Sequence, residues 1–93
     1  MEHSEFAWDD EKAENNLKKH GVGFEEGATI FNDPVIVTIS DPDHSEDEDR
    51  YISIGKSVTR RLLTVVHTYR KEIIRLISVR KATKAERKNY ENN

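Results

Sequence analysis

Apolar positions along this chain fall into short runs separated by charged or turn-forming segments, and the spacing within each run predicts an element. Phe6-Ala7-Trp8 is a brief apolar run suited to an edge strand. Asp9 and Asp10 then offer N-cap oxygens, and Glu11 and Glu14 place negative charge in a first turn. Ala13 and Leu17 lie four apart on one face, Lys18, Lys19 and His20 put positive charge at the C-terminal end, and Gly21 supplies a left-handed stop. A helix is predicted from about Asp10 to His20. Phe24, Ala28 and Phe31, at i, i+4 and i+7, predict a second and shorter helix that Asn32-Asp33-Pro34 ends.

The pattern then changes period. Val35 to Ile39 is a β-branched run that reads as a strand, and Asp41 to Asp49 is an acidic connection. Tyr51 to Ile54 alternates as a second strand closed by Gly55, and Ser57 to Arg60 makes a turn. Leu62 to Tyr69 is a third strand, which Arg70-Lys71-Glu72 turns into a fourth, Ile73 to Val79. Thr83 and Glu86 form a capping box that opens a last helix, and Glu91-Asn92-Asn93 is expected to be disordered. The order is β-α-α-β-β-β-β-α, and the later strands are joined by loops too short for parallel crossovers. The prediction is an α+β domain, a largely antiparallel sheet meander with two N-terminal helices and one C-terminal helix.

Composition narrows the class. A chain of 93 residues fits one domain, 1–93. With 34% hydrophobic and 35% charged residues the core must be thin, one sheet covered on one side by short helices. Cysteine is absent, so no disulfide framework or thiolate metal site is available. No secretory signal is visible and no run approaches the ~18–20 apolar residues that span a bilayer, so a cytoplasmic protein is expected.

The net charge of −3 hides a division between the halves. Residues 1–49 hold fifteen Asp/Glu against three Lys, whereas residues 50–93 hold three Asp/Glu against twelve Lys/Arg. Such a split points to nucleic acid or a charged protein partner, or else to pairing of the halves with each other. Lys56, Arg60 and Arg61 cluster at one turn, Arg80 and Lys81 end the last strand, and Lys84, Arg87 and Lys88 follow on the helix. Antiparallel pairing brings Arg61 near Arg80 and Lys81. Cations converging without acidic partners repel unless an anion, such as an RNA phosphate, lies between them.

His67 is the one histidine inside a predicted strand. A hairpin loop of two or four residues would place it on the same side of the sheet as Arg80, and a loop of three on the opposite side. The same-side arrangement sets an acid/base of near-neutral pKa beside a fixed cation, as 2′-OH attack on an RNA phosphate requires. Flanked by Val65, Val66 and Thr68, His67 reads more readily as a satisfied core residue. Tyr90, with Arg87 three residues before it on one helix face, could stack on a base or pack the helix on the sheet.

The acidic loop invites a metal reading, because Asp41, Asp43 and Ser45 alternate like a calcium loop. Glu46 and Ile52 occupy the places that need glycine and a bidentate glutamate, so the match fails. Glu48 stays a candidate general base or a partner that orients an arginine. His3, His20 and His44 are assigned nothing, and no phosphate-cradling glycine loop, nucleophile elbow or zinc pair is present.

An ordered set of motifs resembles a known family. Phe6-x-Trp8-Asp9, Asn16, Lys19-His20-Gly21-Val22, Phe24-Glu25-Glu26 and Phe31-x-Asp33-Pro34 are followed by Arg50 and Ile52 to Gly55. Leu62-Leu63-x-Val65-Val66-His67-Thr68, Ile74 to Ser78, Arg80 to Thr83, and Glu86-Arg87-x-x-Tyr90 complete it. From Phe6 to Glu91 the chain resembles the BrnT toxin family. The resemblance implies a RelE-like fold and an endoribonuclease of a type II toxin-antitoxin system that arrests translation without a metal or other cofactor. It also implies a tight complex with a BrnA-type antitoxin, whose ribbon-helix-helix part alone would contact operon DNA, and no membrane role. Carried over by resemblance, Lys56, Arg61, His67, Arg80, Tyr90 and Glu48 are candidate catalytic residues. Arg60, Lys81, Lys84 and Arg87 are candidate RNA-binding residues. The alternative is a non-catalytic module that binds nucleic acid or protein through the basic half.

Overall fold

The computed structural model describes residues 5–42 and 49–92. Strand β1 (Phe6–Ala7) leads into α1 (Asp10–His20), α2 (Phe24–Ala28) and a 3-10 turn over Thr29–Asn32. Strands β2 (Val37–Ser40), β3 (Tyr51–Lys56), β4 (Leu62–Arg70) and β5 (Ile73–Lys81) follow, and α3 (Lys84–Glu91) ends the described chain. The sheet order is β1-β5-β4-β3-β2. The predicted antiparallel meander is therefore only four strands of a five-stranded mixed sheet. β1 adds itself to β5 in parallel, with Phe6 opposite Ile74 and Ala7 opposite Arg75. The helices and the three strands that lie between β1 and β5 in the chain supply the long connection that parallel pairing needs.

Local signals place the helix ends. Asp9 caps α1 by accepting from the Glu11 N–H at 2.9 Å, and Gly21 at φ 72° closes it with a bond from its N–H to the Leu17 carbonyl. The second predicted helix is shorter than its apolar spacing suggests. Five residues are α-helical, and the chain then tightens into the 3-10 turn before Asp33 and Pro34. Thr83 and Glu86 form the capping box of α3, which stays helical through Glu91, beyond the point where disorder was expected.

One face of the sheet carries the core. Val22, Phe24 and Ile30 from the helical layer pack on Leu63, Val65, Leu76 and Val79. Trp8 meets Phe24 edge-on at 5.9 Å, and Phe6 tilts against Phe31 at 5.6 Å. Gly27 lets α2 lie close to β5, since a Cβ there would come within 2.6 Å of a Val79 methyl.

The spacing of Leu76 and Val79 shows where simple alternation fails. Residues three apart on a regular strand face opposite sides, yet both are buried in this core. The reason is a bulge. His67 pairs with Leu76 but Val66 pairs with Ser78, so Ile77 has no partner on β4 and the facing of β5 reverses there.

The inward position of α1 is polar. Asn16 is buried while Leu17, its apolar neighbour, is 52% exposed. β1 reaches only Ile74 and Arg75, so the outer edge of β5 beyond them lacks a strand. The Asn16 amide replaces one: its Nδ2 donates to the Val79 carbonyl at 2.8 Å and to the Val22 carbonyl at 3.1 Å, and its Oδ1 accepts from the Val79 N–H at 3.2 Å. Asn16→Ala should lower stability in urea by about 2–4 kcal/mol, because three buried backbone groups lose their partner. Leu17→Ala should change it by less than about 0.5 kcal/mol. Equal midpoints for the two variants would show that the Asn16 fork contributes nothing.

Candidate RNA-cleaving site

The face of the sheet opposite the core is where the basic strand ends meet α3. Thr64 alternates with the core residues Leu63 and Val65, so its side chain leaves by the other face. There its hydroxyl donates to Glu86 Oε1 at 2.8 Å. Arg80, opposite Thr64 in the register, forms a two-pronged pair with the same carboxylate, with both N–O distances 2.8 Å. Glu86 Oε1 also accepts the Thr83 N–H at 2.9 Å, as the capping box requires. The Arg80 hydrogen bonds above all hold the Glu86 carboxyl down to about 2, so it stays ionised at every pH of interest. One carboxylate thus fixes the start of α3, the first part of β4 and the end of β5.

Further along α3, the Tyr90 hydroxyl donates to Asp33 Oδ2 at 2.7 Å. The Lys56 backbone N–H donates to the same oxygen at 2.8 Å, and the Val35 N–H donates to Oδ1 at 3.0 Å. Burial opposes the charge on Asp33, but these three donors together keep its pKa below the ordinary value. The anion in turn pushes the Tyr90 phenol up to about 12, so Tyr90 remains a protonated hydrogen-bond donor at neutral pH. Lys56, Arg80, Glu86 and Tyr90 are therefore organised around α3. Lys84 and Arg87 lie exposed on that helix, and Lys81 is exposed beside Arg80.

Arg61 goes elsewhere. It neighbours the end of β4, yet its guanidinium turns to the helical layer and pairs with both oxygens of Glu26. Ser57 and Thr59 hydroxyls also donate to Glu26, whose pKa falls to about 2, chiefly through the Arg61 bonds. The expectation of cations converging without acidic partners is corrected here for Arg61 and Arg80, each of which has a carboxylate. Arg61 is a brace of the Ser57–Arg60 turn, and the two halves of the chain do pair at this point.

The structure does not bring His67 and Arg80 together. The hairpin loop has two residues, Lys71 and Glu72, and by parity alone they would share a face. The bulge reverses the facing between them. His67 is fully buried on the core side, edge-on to Phe31 at 5.0 Å and Tyr69 at 5.3 Å, with Tyr51 stacked at 6.0 Å. Its Nε2 lies 2.7 Å from Ser53 Oγ, which lies 2.7 Å from Thr38 Oγ1. Nδ1 has no partner. The assignment of least cost has Nε2–H donating to Ser53, which leaves an unpaired acceptor rather than an unpaired N–H. Burial lowers the His67 pKa from the usual 6.5 to about 4.

Glu48 lies outside the described residues, as does most of the acidic loop. Among the described residues no group of three or more His, Asp or Glu is placed to hold a metal ion. Three residues that organise the site escape sequence reading. Glu26 reads only as a helix acid, Asp33 as the residue before a helix-ending proline, and Glu86 as a cap. No local pattern marks them, because each acts on a residue distant in sequence or on the other side of a turn.

A mixed five-stranded sheet with helices on one face and a basic, tyrosine-bearing corner under a C-terminal helix on the other defines a class of small α+β proteins. Comparison with known proteins makes the class specific. The family model described as the ribonuclease toxin, BrnT, of a type II toxin-antitoxin system matches residues 8–86. The chain belongs to the BrnT family of ribonuclease toxins. Its fold is similar to that of the Brucella abortus ribonuclease toxin BrnT, known from a 1.1 Å crystal structure, with a TM-score of 0.63 and 20% identity over 86% of this chain and 97% of that one. No curated protein matches the sequence significantly. Among the described residues no helix is long and apolar enough to cross a membrane.

The state of His67 gives a pH prediction. The unfolded chain takes up a proton near pH 6.5, while the folded state holds His67 neutral to about pH 4. The contribution is complete above pH 6.5 and is lost as pH falls towards 4, amounting to about 3 kcal/mol. Urea unfolding between pH 7 and 4 should show this loss in the wild type and a clearly smaller one in His67→Phe. Parallel pH profiles would show that His67 takes up its proton alike in the folded and unfolded chains.

Proposed function

We propose that this chain is a single-domain, metal-independent endoribonuclease that inhibits translation in the cytoplasm, and that a BrnA-type ribbon-helix-helix antitoxin neutralises it. Membership of the BrnT family supports the ribonuclease, RNA-substrate and antitoxin parts of this reading. The observation that carries the location is the Arg80–Glu86–Thr64 cluster under α3, with Lys56 and Tyr90 beside it.

Cleavage proceeds by attack of a 2′-OH on the adjacent phosphorus, which forms a 2′,3′-cyclic phosphate as the bond to the 5′ oxygen breaks. The 2′-OH gives its proton to water, the leaving 5′ oxygen takes one up from water, and negative charge builds on the phosphoryl oxygens. Glu86 and the Lys81 carbonyl use three of the five N–H groups of Arg80, leaving two without a partner among the described residues. A guanidinium already oriented by a carboxylate stabilises that charge without reorganising during the reaction. Lys56 and Lys81 add positive charge, Tyr90 donates a hydrogen bond, and Arg60, Lys84 and Arg87 hold flanking phosphates. Glu86 is a positioning residue. His67 acts from the core by fixing the aromatic layer beneath the sheet, and Arg61 acts by bracing the turn. Metal independence is supported by the cations already at the corner, which supply the electrostatic role a metal ion would otherwise take.

Purified protein incubated with single-stranded RNA in EDTA should cleave it. Arg80→Ala should reduce the rate by about 10²–10³-fold while the fold persists by circular dichroism. Glu86→Gln should lower kcat more than RNA affinity, because Arg80 remains but loses its fixed orientation. Salt-sensitive RNA binding with no cleavage by the wild type would favour the non-catalytic module instead.

A further inference from the structure

Beside Tyr90's anchor lies a surface depression that shares Lys56 and Arg60 with the cleavage corner and adds groups the cleavage chemistry does not use. Asn32, Asp33 and Pro34 on one side, and Lys56, Val58 and Arg60 on the other, line an open depression of about 370 Å³. That size falls within the range of ligand sites, roughly 300–1,000 Å³. Its walls combine three kinds of group. Pro34 and Val58 are apolar, Asn32 is an exposed carboxamide with no hydrogen bond to any described residue, and Lys56 and Arg60 are exposed cations.

The wall that carries Val58 and Arg60 is held rigidly. Ser57 and Thr59 hydroxyls are bonded to Glu26, Arg61 is paired with Glu26, and the Val58 N–H donates to Thr29 Oγ1 at 2.9 Å. The Arg60 N–H closes the turn on the Ser57 carbonyl at 2.9 Å. This framework presents an apolar side chain that is 74% exposed, the most exposed large hydrophobic residue described. It also keeps Arg60 at φ 70°, where glycine or asparagine would sit without strain. An exposed valine and a strained arginine on an immobilised turn contribute nothing to the core.

We propose that this depression is a nucleobase-reading subsite, which takes one base of single-stranded RNA next to the scissile phosphate. The inference rests on the ribonuclease reading above. Its occupant follows from the lining: a flat ring between Pro34 and Val58, its edge paired with the Asn32 carboxamide, and its phosphate on Lys56 and Arg60. A carboxamide offers one donor and one acceptor, and its best-matched bidentate partner is adenine. Sequence-specific RNA recognition uses unstacked bases in this way, with contacts to the base edge setting specificity and phosphate contacts setting position. Asp33 links the subsite to the cleavage corner, because the oxygen that accepts the Tyr90 hydroxyl also accepts the Lys56 N–H.

The test is a cleavage profile. A pool of single-stranded RNA of random sequence is cut by the purified full chain, and base frequencies are read at each position around the cut. The wild type should show a preference of about tenfold, for adenine, at one position adjacent to the cut. Asn32→Ala and Val58→Ala should each reduce that preference to near zero and leave total cleavage of the pool close to wild type. Leu17→Ala, at an exposed position on α1, should leave the profile intact. No cleavage by the wild type would overturn the ribonuclease reading and this inference with it. Cleavage with an identical profile in all four proteins overturns the subsite alone. If Asn32→Ala and Val58→Ala keep the profile but resist inhibition by the antitoxin, the depression is a protein-docking surface and the subsite is likewise overturned.

Discussion

The architecture turns on one unpaired residue. Ile77 has no partner on β4, and its insertion lets β5 present Leu76 and Val79 to the core and, one residue later, Arg80 to the opposite face. Without it, the end of β5 would carry a cation into the hydrophobic layer, which is too costly to occur, or the strand would leave the core unfilled. The bulge resolves both demands at once. It also separates His67 from Arg80, which sets the chemistry available on each face: a neutral aromatic layer beneath the helices, and a charged corner under α3.

That corner is organised by carboxylates as much as by cations. Glu86 ties Arg80, Thr64 and the start of α3 into one unit, and Asp33 ties Tyr90 to the end of β3. Because each acid accepts several hydrogen bonds, it stays charged and fixed, and so does the group it holds. The site is therefore assembled from three strand ends, a 3-10 turn and a helix, none of which has a functional geometry alone. Asn16 plays the matching role on the other side of the sheet, closing an edge that the two-residue β1 leaves open.

Much of the fold was legible along the chain. The caps at Asp9, Gly21 and Thr83 act within a few residues and matched the structure, and the period change after Pro34 and the turn predicted at Arg70-Lys71-Glu72 came within two residues of it. The departures share a cause. β1 pairs in parallel with a strand nearly seventy residues later, Asn16 is buried because of Val79, and Leu17 is exposed because that edge needs an amide rather than a methyl. The candidate site divides in the same way. The basic residues were visible as a cluster, but their carboxylate partners were not, because Glu26 and Asp33 lie in the acidic half and meet the basic half only on folding.

By itself the sequence determined the elements, the α+β class and the charge asymmetry, because helix caps, apolar period and composition are properties of neighbours. It also carried the ordered motifs that mark the BrnT family. The tertiary structure alone decided which side of the sheet each group would face. Side-chain facing alternates with every residue, so a single bulge reverses it, and a bulge depends on packing across strands rather than on any local preference. For that reason His67 and Arg80, both in plain view along the chain, ended in different environments.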